Sequence, residues 1–406
     1  MNGLHPESDT PRQSVGQATE APAQSFRWID TDAAWADLAP EIDSAALVAL
    51  DVEADGFHRY PERLSLIQVA LPDGTIAILD PLAVSDLTEL GRVLADPERV
   101  KVLHAASYDL RAFQKDLGFT MRGLYDTSIA AQFVGLERTG LAAVLQAVLG
   151  VELEKSKRLQ RMDWSQRPLP EPALAYAADD VVYLLQLYRA LLKQVADLGR
   201  TDWVAEECER LEVIRLEPPL SSQEACLQLK GARDLDDRGR AVLHALFVFR
   251  EQEALRLGRP PYRVMGNETM LVLAGDPAQR LDDLPGIGRS YLGPRRRPLL
   301  AALSQGKQDP PLRWPRRESG SRWTGESRER LARLKAWRDA EAASLGLSAG
   351  LVWSARHLDQ VALHPGRDPL TLDLGRERDG APWVRRWQWS AMGQRFGALV
   401  ATLEGP

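Results

Sequence analysis

The chain has 406 residues, with 51 Lys+Arg against 57 Asp+Glu, a formal net charge of −6 and 44% hydrophobic residues. That composition excludes global disorder, and a prior of about 100–200 residues per domain gives two to four domains. Two cysteines, Cys208 and Cys226, exclude a disulfide scaffold or a Cys-rich zinc module, and no apolar run approaches the ~20 residues that span a bilayer.

Residues 1–24, rich in Ser, Gln, Pro, Thr and Ala, read as a disordered tail without a signal peptide's apolar core, so the expected compartment is the cytoplasm. Order is expected from Phe26-Arg27-Trp28-Ile29, a short strand, followed by a capped helix from Thr31 to Leu38. Ala46–Leu50 is an apolar run of strand length, and Leu64–Leu71 and Ile76–Leu79 read as further strands joined by the turn residues Pro72-Asp73-Gly74. A helical pattern from Leu87 to Leu94 precedes a strand at Val100–Leu103. Helical periods dominate from Tyr108 to Leu198. Strands first and helices after predict a mixed α/β layer fold over 25–217.

Pro218-Pro219 with Ser221-Ser222 marks the first boundary. A helical module is expected over 221–305, then a linker over 306–325 opened by Gly306 and Pro310-Pro311, then a second helical module over 326–406. Both modules show an Arg-rich first helix, a polar loop and a shorter helix, a tandem repeat of roughly 80 residues. Charge is unevenly spread. Residues 1–200 hold 19 basic and 29 acidic groups, whereas 289–338 hold 14 basic and 4 acidic. A basic rear fits a polyanionic partner, and a solvated linker face is the plain alternative.

Candidate chemistry lies in three acidic motifs. Asp51 and Glu53 are i and i+2 on a strand and so share a face. Two carboxylates at a strand end are costly without a cation, and Mg²⁺ or Mn²⁺ takes such oxygen ligands; Asp-x-Glu is also a common loop triplet. Asp109 follows the Val100–Leu103 strand, at the carboxyl end where α/β sheets hold ligands, although such an Asp also serves as a helix cap. His104 reads as a hydrogen-bonding core residue. Tyr176 and Asp180 are i and i+4 on one helix face, while Asp179 points elsewhere, towards solvent.

Taken in order, Asp-x-Glu, the later Asp and Tyr-xxx-Asp resemble the DEDD 3′→5′ exonuclease superfamily, its tyrosine-bearing DEDDy branch, and within it ribonuclease D. Leu64–Gln68, Asp80-Pro81-Leu82, Leu103-His104-Ala105 with Asp109-Leu110, Asp126-Thr127, and Asp163-Trp164 with Arg167-Pro168-Leu169 resemble its flanking motifs. Residues 227–303 resemble an HRDC domain, with Leu284-Pro285-Gly286-Ile287-Gly288 as its helix-connecting turn, and 326–403 resemble a more diverged copy lacking that turn.

The resemblance implies a ribonuclease H-like α/β exonuclease domain, a mixed sheet flanked by helices, followed by two small all-α HRDC domains. It implies two divalent metal ions, Mg²⁺ or Mn²⁺, held by Asp51, Glu53, Asp109 and Asp180, with Tyr176 positioning the attacking water. The expected reaction is 3′→5′ hydrolysis of structured or precursor RNA such as tRNA, releasing nucleoside 5′-monophosphates. The expected partner is an RNA 3′ end, with single-stranded DNA as an alternative; a monomer with no membrane and no obligate protein partner is expected. Where many relatives have Thr-Glu-Phe, this chain has Val52-Glu53-Ala54. Candidate nucleic-acid contacts are His58, Arg59, Gln68, Gly286, Gly288, Arg289, Arg295 and Arg296. Trp383, Trp387 and Trp389 either stack bases or pack a core, the second being preferred. The rival readings are a DNA exonuclease of the Werner type and a non-catalytic nucleic-acid-binding protein.

Overall fold

The computed structural model describes residues 25–153, 156–213, 216, 219–276, 293–315, 323–367 and 384–403. The expected tail over 1–24 therefore lies outside the described residues, as do Gly286, Gly288, Arg289 and Trp383.

Strands β1 (Arg27–Ile29), β2 (Leu47–Ala54), β3 (Leu64–Ala70), β4 (Ile76–Leu79), β5 (Val100–Leu103) and β6 (Leu124–Asp126) form one mixed sheet in the order β1-β4-β3-β2-β5-β6. The β2–β3 and β3–β4 pairs are antiparallel, and the outer pairs β1–β4, β2–β5 and β5–β6 are parallel. Every residue of β3 is buried, because the strand lies mid-sheet with both faces covered. The β3–β4 turn closes where expected: Asp73 accepts the Thr75 N–H at 2.9 Å, and Gly74 takes the left-handed φ of 96° that favours glycine. Thr31 caps α1 (Asp32–Ser44) by accepting the Ala34 N–H at 3.2 Å. The structure adds β6, within the stretch expected to be helical.

Helices α2 (Thr88–Ala95), α3 (Ser107–Ala112), α4 (Thr127–Phe133), α5 (Leu141–Leu149), α6 (Glu171–Val182), α7 (Leu184–Asp197) and α8 (Thr201–Glu212) flank the sheet. Helix α6 packs over β2, β3 and β4. It does so through the small buried side chains Ala173, Ala177 and Ala178 together with Val181, which bring its axis close to the strands.

Two helical modules follow. The first contains α9 (Ser222–Leu227), α10 (Asp237–Leu257), α11 (Pro261–Val264), α12 (Asn267–Gly275) and α13 (Arg296–Gln308). The second contains α14 (Gly325–Leu345), α15 (Ala349–Val352), α16 (Ala355–Leu363) and α17 (Arg386–Ala401). Helices α10, α11 and α12 of the first module match α14, α15 and α16 of the second in length, with 21, 4 and 9 residues. Each long helix stops at a left-handed glycine, Gly258 (φ 59°) or Gly346 (φ 62°).

The first module runs past the expected end at 305. Helix α13 continues to Gln308, and Leu312 and Trp314 pack on the module's core, with the Leu312 N–H bonded to the Asp237 carbonyl at 2.9 Å. Gly306, read as the opening of a linker, is buried in α13, where a Cβ would meet Val242 Cα at 2.6 Å. It serves close helix packing and does not end the helix.

The cores divide unequally. The first module has its own, built on Val242, Leu243, Leu246, Met270, Leu273 and Leu299. The second module shares one continuous core with the α/β domain. Trp387 stacks on Trp203 at 4.8 Å and meets Phe133 edge-on at 5.2 Å. Its indole N–H donates to Glu207 at 2.9 Å, and Glu206 accepts the Arg386 and Trp387 backbone N–H groups at 2.8 and 2.9 Å. Trp387, 3% exposed, is thus a docking residue with no face left for a base.

Candidate active site

Strand β2 carries Asp51 and Glu53 on one face, with Asp51 opposite Gln68 and Glu53 opposite Leu66 on β3. The pairing shifts between Glu53 and Ala54, so the strand bends away just past the second carboxylate. Asp109 enters from the first turn of α3 and is 5% exposed. The turn ahead of it is held by Asp126, whose carboxylate accepts the Ala105 and Ala106 N–H groups at 2.9 Å each and the Ser128 N–H at 2.8 Å. Ala105 sits at φ 59°, a conformation costly for a residue with a Cβ, and Asp126 holds it there. His104 Nδ1 pairs with the Thr127 hydroxyl at 2.9 Å, the core role expected of it.

Tyr176 and Asp180 lie one turn apart on α6, the helix that covers this end of β2. Tyr176 is supported by Trp164, its ring stacked 6.3 Å away, while Asp179 faces solvent. Asp51, Glu53, Asp109 and Asp180 thereby meet at one end of the sheet, each within electrostatic reach of the others. Burial first, then the charges of Asp109, Asp180 and Glu53, push the Asp51 carboxyl well above the usual range. Burial, then Asp180 and Asp109, push Glu53 up to about 9. Burial, with Asp126 and Asp180 as contributing charges, pushes Asp109 up to about 7. Burial and then the Asp180 charge push the Tyr176 phenol up to about 12, so it is neutral at pH 7.

Among the described residues, no three His, Cys, Asp or Glu groups are already closed around one point as a finished cage. The donor set still fits a hard divalent cation. Four acids from three elements face one another in a partly dry site, and a divalent cation would offset the burial and the mutual repulsion that together raise the Asp51, Glu53 and Asp109 carboxyls.

The outlying candidates fall in several places. Gln68 is fully buried beside Asp51, so it has no surface for a nucleic acid, and its amide atoms have no hydrogen-bond partner among the described residues. His58 Nε2 pairs with the Arg161 carbonyl at 2.7 Å, and its Nδ1 faces the Arg263 guanidinium at 3.3 Å. Arg59 is bound to Asp163 at 3.2 Å and Ser165 at 3.1 Å. Both residues thus tie loop 55–63 to its surroundings. Arg295 forms an ion pair with Glu253 at 2.8 Å, and Arg296 is exposed at the start of α13.

Sequence reasoning gave no role to the residues that build the rim. Asp55 is 2% exposed and closes loop 55–63 by accepting the Arg63 N–H at 2.7 Å. Arg167 binds Asp80 (Nη2 at 2.8 Å) and the Ser65 carbonyl (2.9 Å), fixing the segment that carries Trp164. Tyr60 donates to Glu251 at 2.6 Å and joins the loop to the first helical module. Asp80 and Arg167 lie in the quoted flanking motifs; Tyr60 and Glu251 are 191 positions apart, and no local pattern links them.

The 3′-5′ exonuclease family matches residues 26–196. A ribonuclease D of Gluconacetobacter diazotrophicus is 32% identical over 361 residues, covering 87% of both chains. A ribonuclease D of Pseudomonas paraeruginosa is 31% identical over 387 residues, covering 94% of this chain and 98% of that one. Among solved structures, Escherichia coli RNase D, an exoribonuclease involved in structured RNA processing, matches with a TM-score of 0.69 and 26% identity. That match covers 93% of this chain and 99% of the other.

Proposed function

Since the chain belongs to the ribonuclease D family and is a metal-dependent 3′→5′ exoribonuclease, we propose that it trims the 3′ ends of structured or precursor RNAs such as tRNA. The product is a nucleoside 5′-monophosphate. The observation that carries the reading is the convergence of Asp51, Glu53, Asp109 and Asp180 at one sheet end, with Tyr176 a turn from Asp180. One chain supplies all five, and we read the protein as acting as a monomer.

In this reading Asp51, Glu53 and Asp180 would hold one divalent ion, and Asp51 with Asp109, directly or through water, would hold a second; Mg²⁺ and Mn²⁺ both suit the oxygen donors. The ions would supply a water acidified enough to attack at neutral pH and a counter-charge for the leaving oxygen. Tyr176 keeps its proton, so it orients the water and does not deprotonate it. The Asp126-braced turn and the α6–sheet packing hold the acids in place against their own repulsion.

The two helical modules are proposed to be HRDC domains. Their equal helix lengths and matching glycine stops support a tandem pair. The test is hydrolysis of a 5′-labelled tRNA precursor with a short 3′ extension, beside a single-stranded RNA and its DNA counterpart. Stepwise loss from the RNA 3′ ends, with DNA much slower, supports the reading. Preference for DNA would move it to the Werner-type alternative, and salt-sensitive binding without cleavage to a binding protein.

A further inference from the structure

Among the described residues, the sheet ends at β6, which pairs with β5 on one side only. An edge strand leaves alternate N–H groups without a ladder partner. In β6 these belong to Leu124 and Asp126, and α8 supplies their acceptors. Glu212 Oε1 accepts the Leu124 N–H at 2.9 Å, and Cys208 Sγ accepts the Asp126 N–H at 3.3 Å. Alternate residues of a strand lie about 6.8 Å apart, and four residues of a helix rise about 6 Å. Cys208 and Glu212, at i and i+4, therefore match the two donors, with α8 running antiparallel to the strand. Cys208 is buried and the Glu212 side chain is only 8% exposed, so water competes little for either bond. The helix is also fixed from a second direction, where Trp203, Glu206 and Glu207 dock the second module.

What α8 holds is the strand that aims a catalytic acid. Asp126 ends β6, and its carboxylate takes the Ala105 and Ala106 N–H groups at 2.9 Å each. Helix α3 starts from Ala106 and carries Asp109 in its first turn. A shift of β6 therefore moves Asp126, then the turn, then the Asp109 carboxylate. Catalytic groups have to be held within about 0.5 Å of their productive geometry. Three residues paired on one side only give few bonds to hold β6 to that tolerance. We propose that Glu212, with Cys208, is a positioning residue for hydrolysis: it clamps β6 so that Asp126 presents Asp109 to the divalent ion that this acid would hold. The inference rests on the exonuclease reading of the four carboxylates. It gives α8, which contributes no group to the site, a part in metal affinity.

The test uses the full chain, first without RNA. Mn²⁺ is titrated by calorimetry into wild type, Glu212→Ala and Glu212→Gln, each shown to be folded by its melt. Glu212→Ala should raise the Kd for Mn²⁺ about tenfold, the low end for losing a group that orients a metal ligand. Amide exchange at Ala105 and Ala106 should quicken about tenfold or more, the scale of one lost hydrogen bond to a charged group. Glu212→Gln keeps an acceptor for Leu124 and should restore most of both losses. Adding Glu212→Ala to Asp126→Ala should weaken Mn²⁺ little further, since both act through one turn. With 5′-labelled RNA, Glu212→Ala should need correspondingly more Mg²⁺ for half its maximal rate, with KM for RNA unmoved at saturating metal. A lower Tm in Glu212→Ala with Mn²⁺ affinity and exchange at Ala105 and Ala106 unchanged would mark a merely structural clip and overturn the proposal. So would equal losses in Glu212→Ala and Glu212→Gln, which would assign the effect to the charge facing Arg122. If Glu212→Ala does not fold, Cys208→Ala judged against Cys208→Ser takes its place, with the same outcomes. Wild type that neither binds Mn²⁺ nor shortens RNA would count against the exonuclease reading itself. The clamp is then judged on exchange alone: faster exchange at Ala105 and Ala106 in Glu212→Ala supports it, and unchanged exchange refutes it.

Discussion

At the residue scale, the role proposed for Tyr176 rests on position and not on acidity. Its phenol, pushed up to about 12 by burial and then by the Asp180 charge, cannot be the base at neutral pH. It can still donate or accept one hydrogen bond from a ring braced by Trp164. Tyr176→Phe should lower kcat about 100-fold, near the low end for a lost catalytic hydrogen-bonding group, with metal affinity unchanged by calorimetry. The acids behave differently. In chelator, the folded carboxyls of Asp109 (about 7) and Glu53 (about 9) hold protons that the unfolded chain releases near pH 4. The folded state therefore binds more protons between those values, and stability falls as pH rises from about 4 towards 9. Thermal melts in chelator at pH 5 and 8.5 should show the lower Tm at 8.5. Asp109→Asn should flatten this slope and raise Tm at pH 8.5, by about 2–4 °C per kcal/mol of relieved repulsion, while abolishing hydrolysis. A steeper slope in the variant would contradict this account. The acids were legible in the sequence because their types and order carry the chemistry. Gln68 was misplaced because a flanking motif does not tell which side of the sheet, or what depth, its residue occupies.

The element that matters most is the turn between β5 and α3. Asp126 sits at the end of β6 and pins the N–H groups of Ala105 and Ala106, so a three-residue edge strand determines where Asp109 points. Asp126→Ala leaves those donors without this partner, at about 1–3 kcal/mol for each buried one, and releases the left-handed Ala105. Denaturant unfolding should show a loss of at least ~2 kcal/mol. Activity should fall further than in Asp126→Asn, which keeps one acceptor. β6 was invisible to periodicity, since three residues cannot display a period of two against the helical patterns around them. Gly306 misled for a related reason. A glycine that lets two helices touch has the same letter as one that ends a helix, and only the contact with Val242 distinguishes them. The β2–β3–β4 meander was readable throughout, because its turn chemistry and apolar runs agree with its packing.

At the scale of the whole molecule, ion pairs fasten the second module to the α/β domain. Arg385 pairs with Glu207 at 3.1 Å and Arg386 with Glu209 at 2.9 Å, all four residues lying outside the acidic 1–200 stretch and the basic 289–338 stretch. The buried Arg200 adds a bridge, donating to the Phe133 carbonyl of the α/β domain and to the Leu345 carbonyl of the second module. Trp387→Ala should cost about 3–5 kcal/mol, the range for a buried Trp, or release the second module outright. Hydrogen exchange in α4 and α8 should accelerate, whereas exchange in the core of the first module should not change. Among the described residues, no helix is long and apolar enough to cross a membrane.

The most direct test follows single-stranded RNA carrying a 5′ label, incubated with wild type or Asp51→Ala, in Mg²⁺ or in chelator. The account predicts a ladder shortening from the 3′ end with release of nucleoside 5′-monophosphates, absent in chelator and in a folded Asp51→Ala protein. A ladder that persists in Asp51→Ala, or that needs no divalent ion, would contradict it.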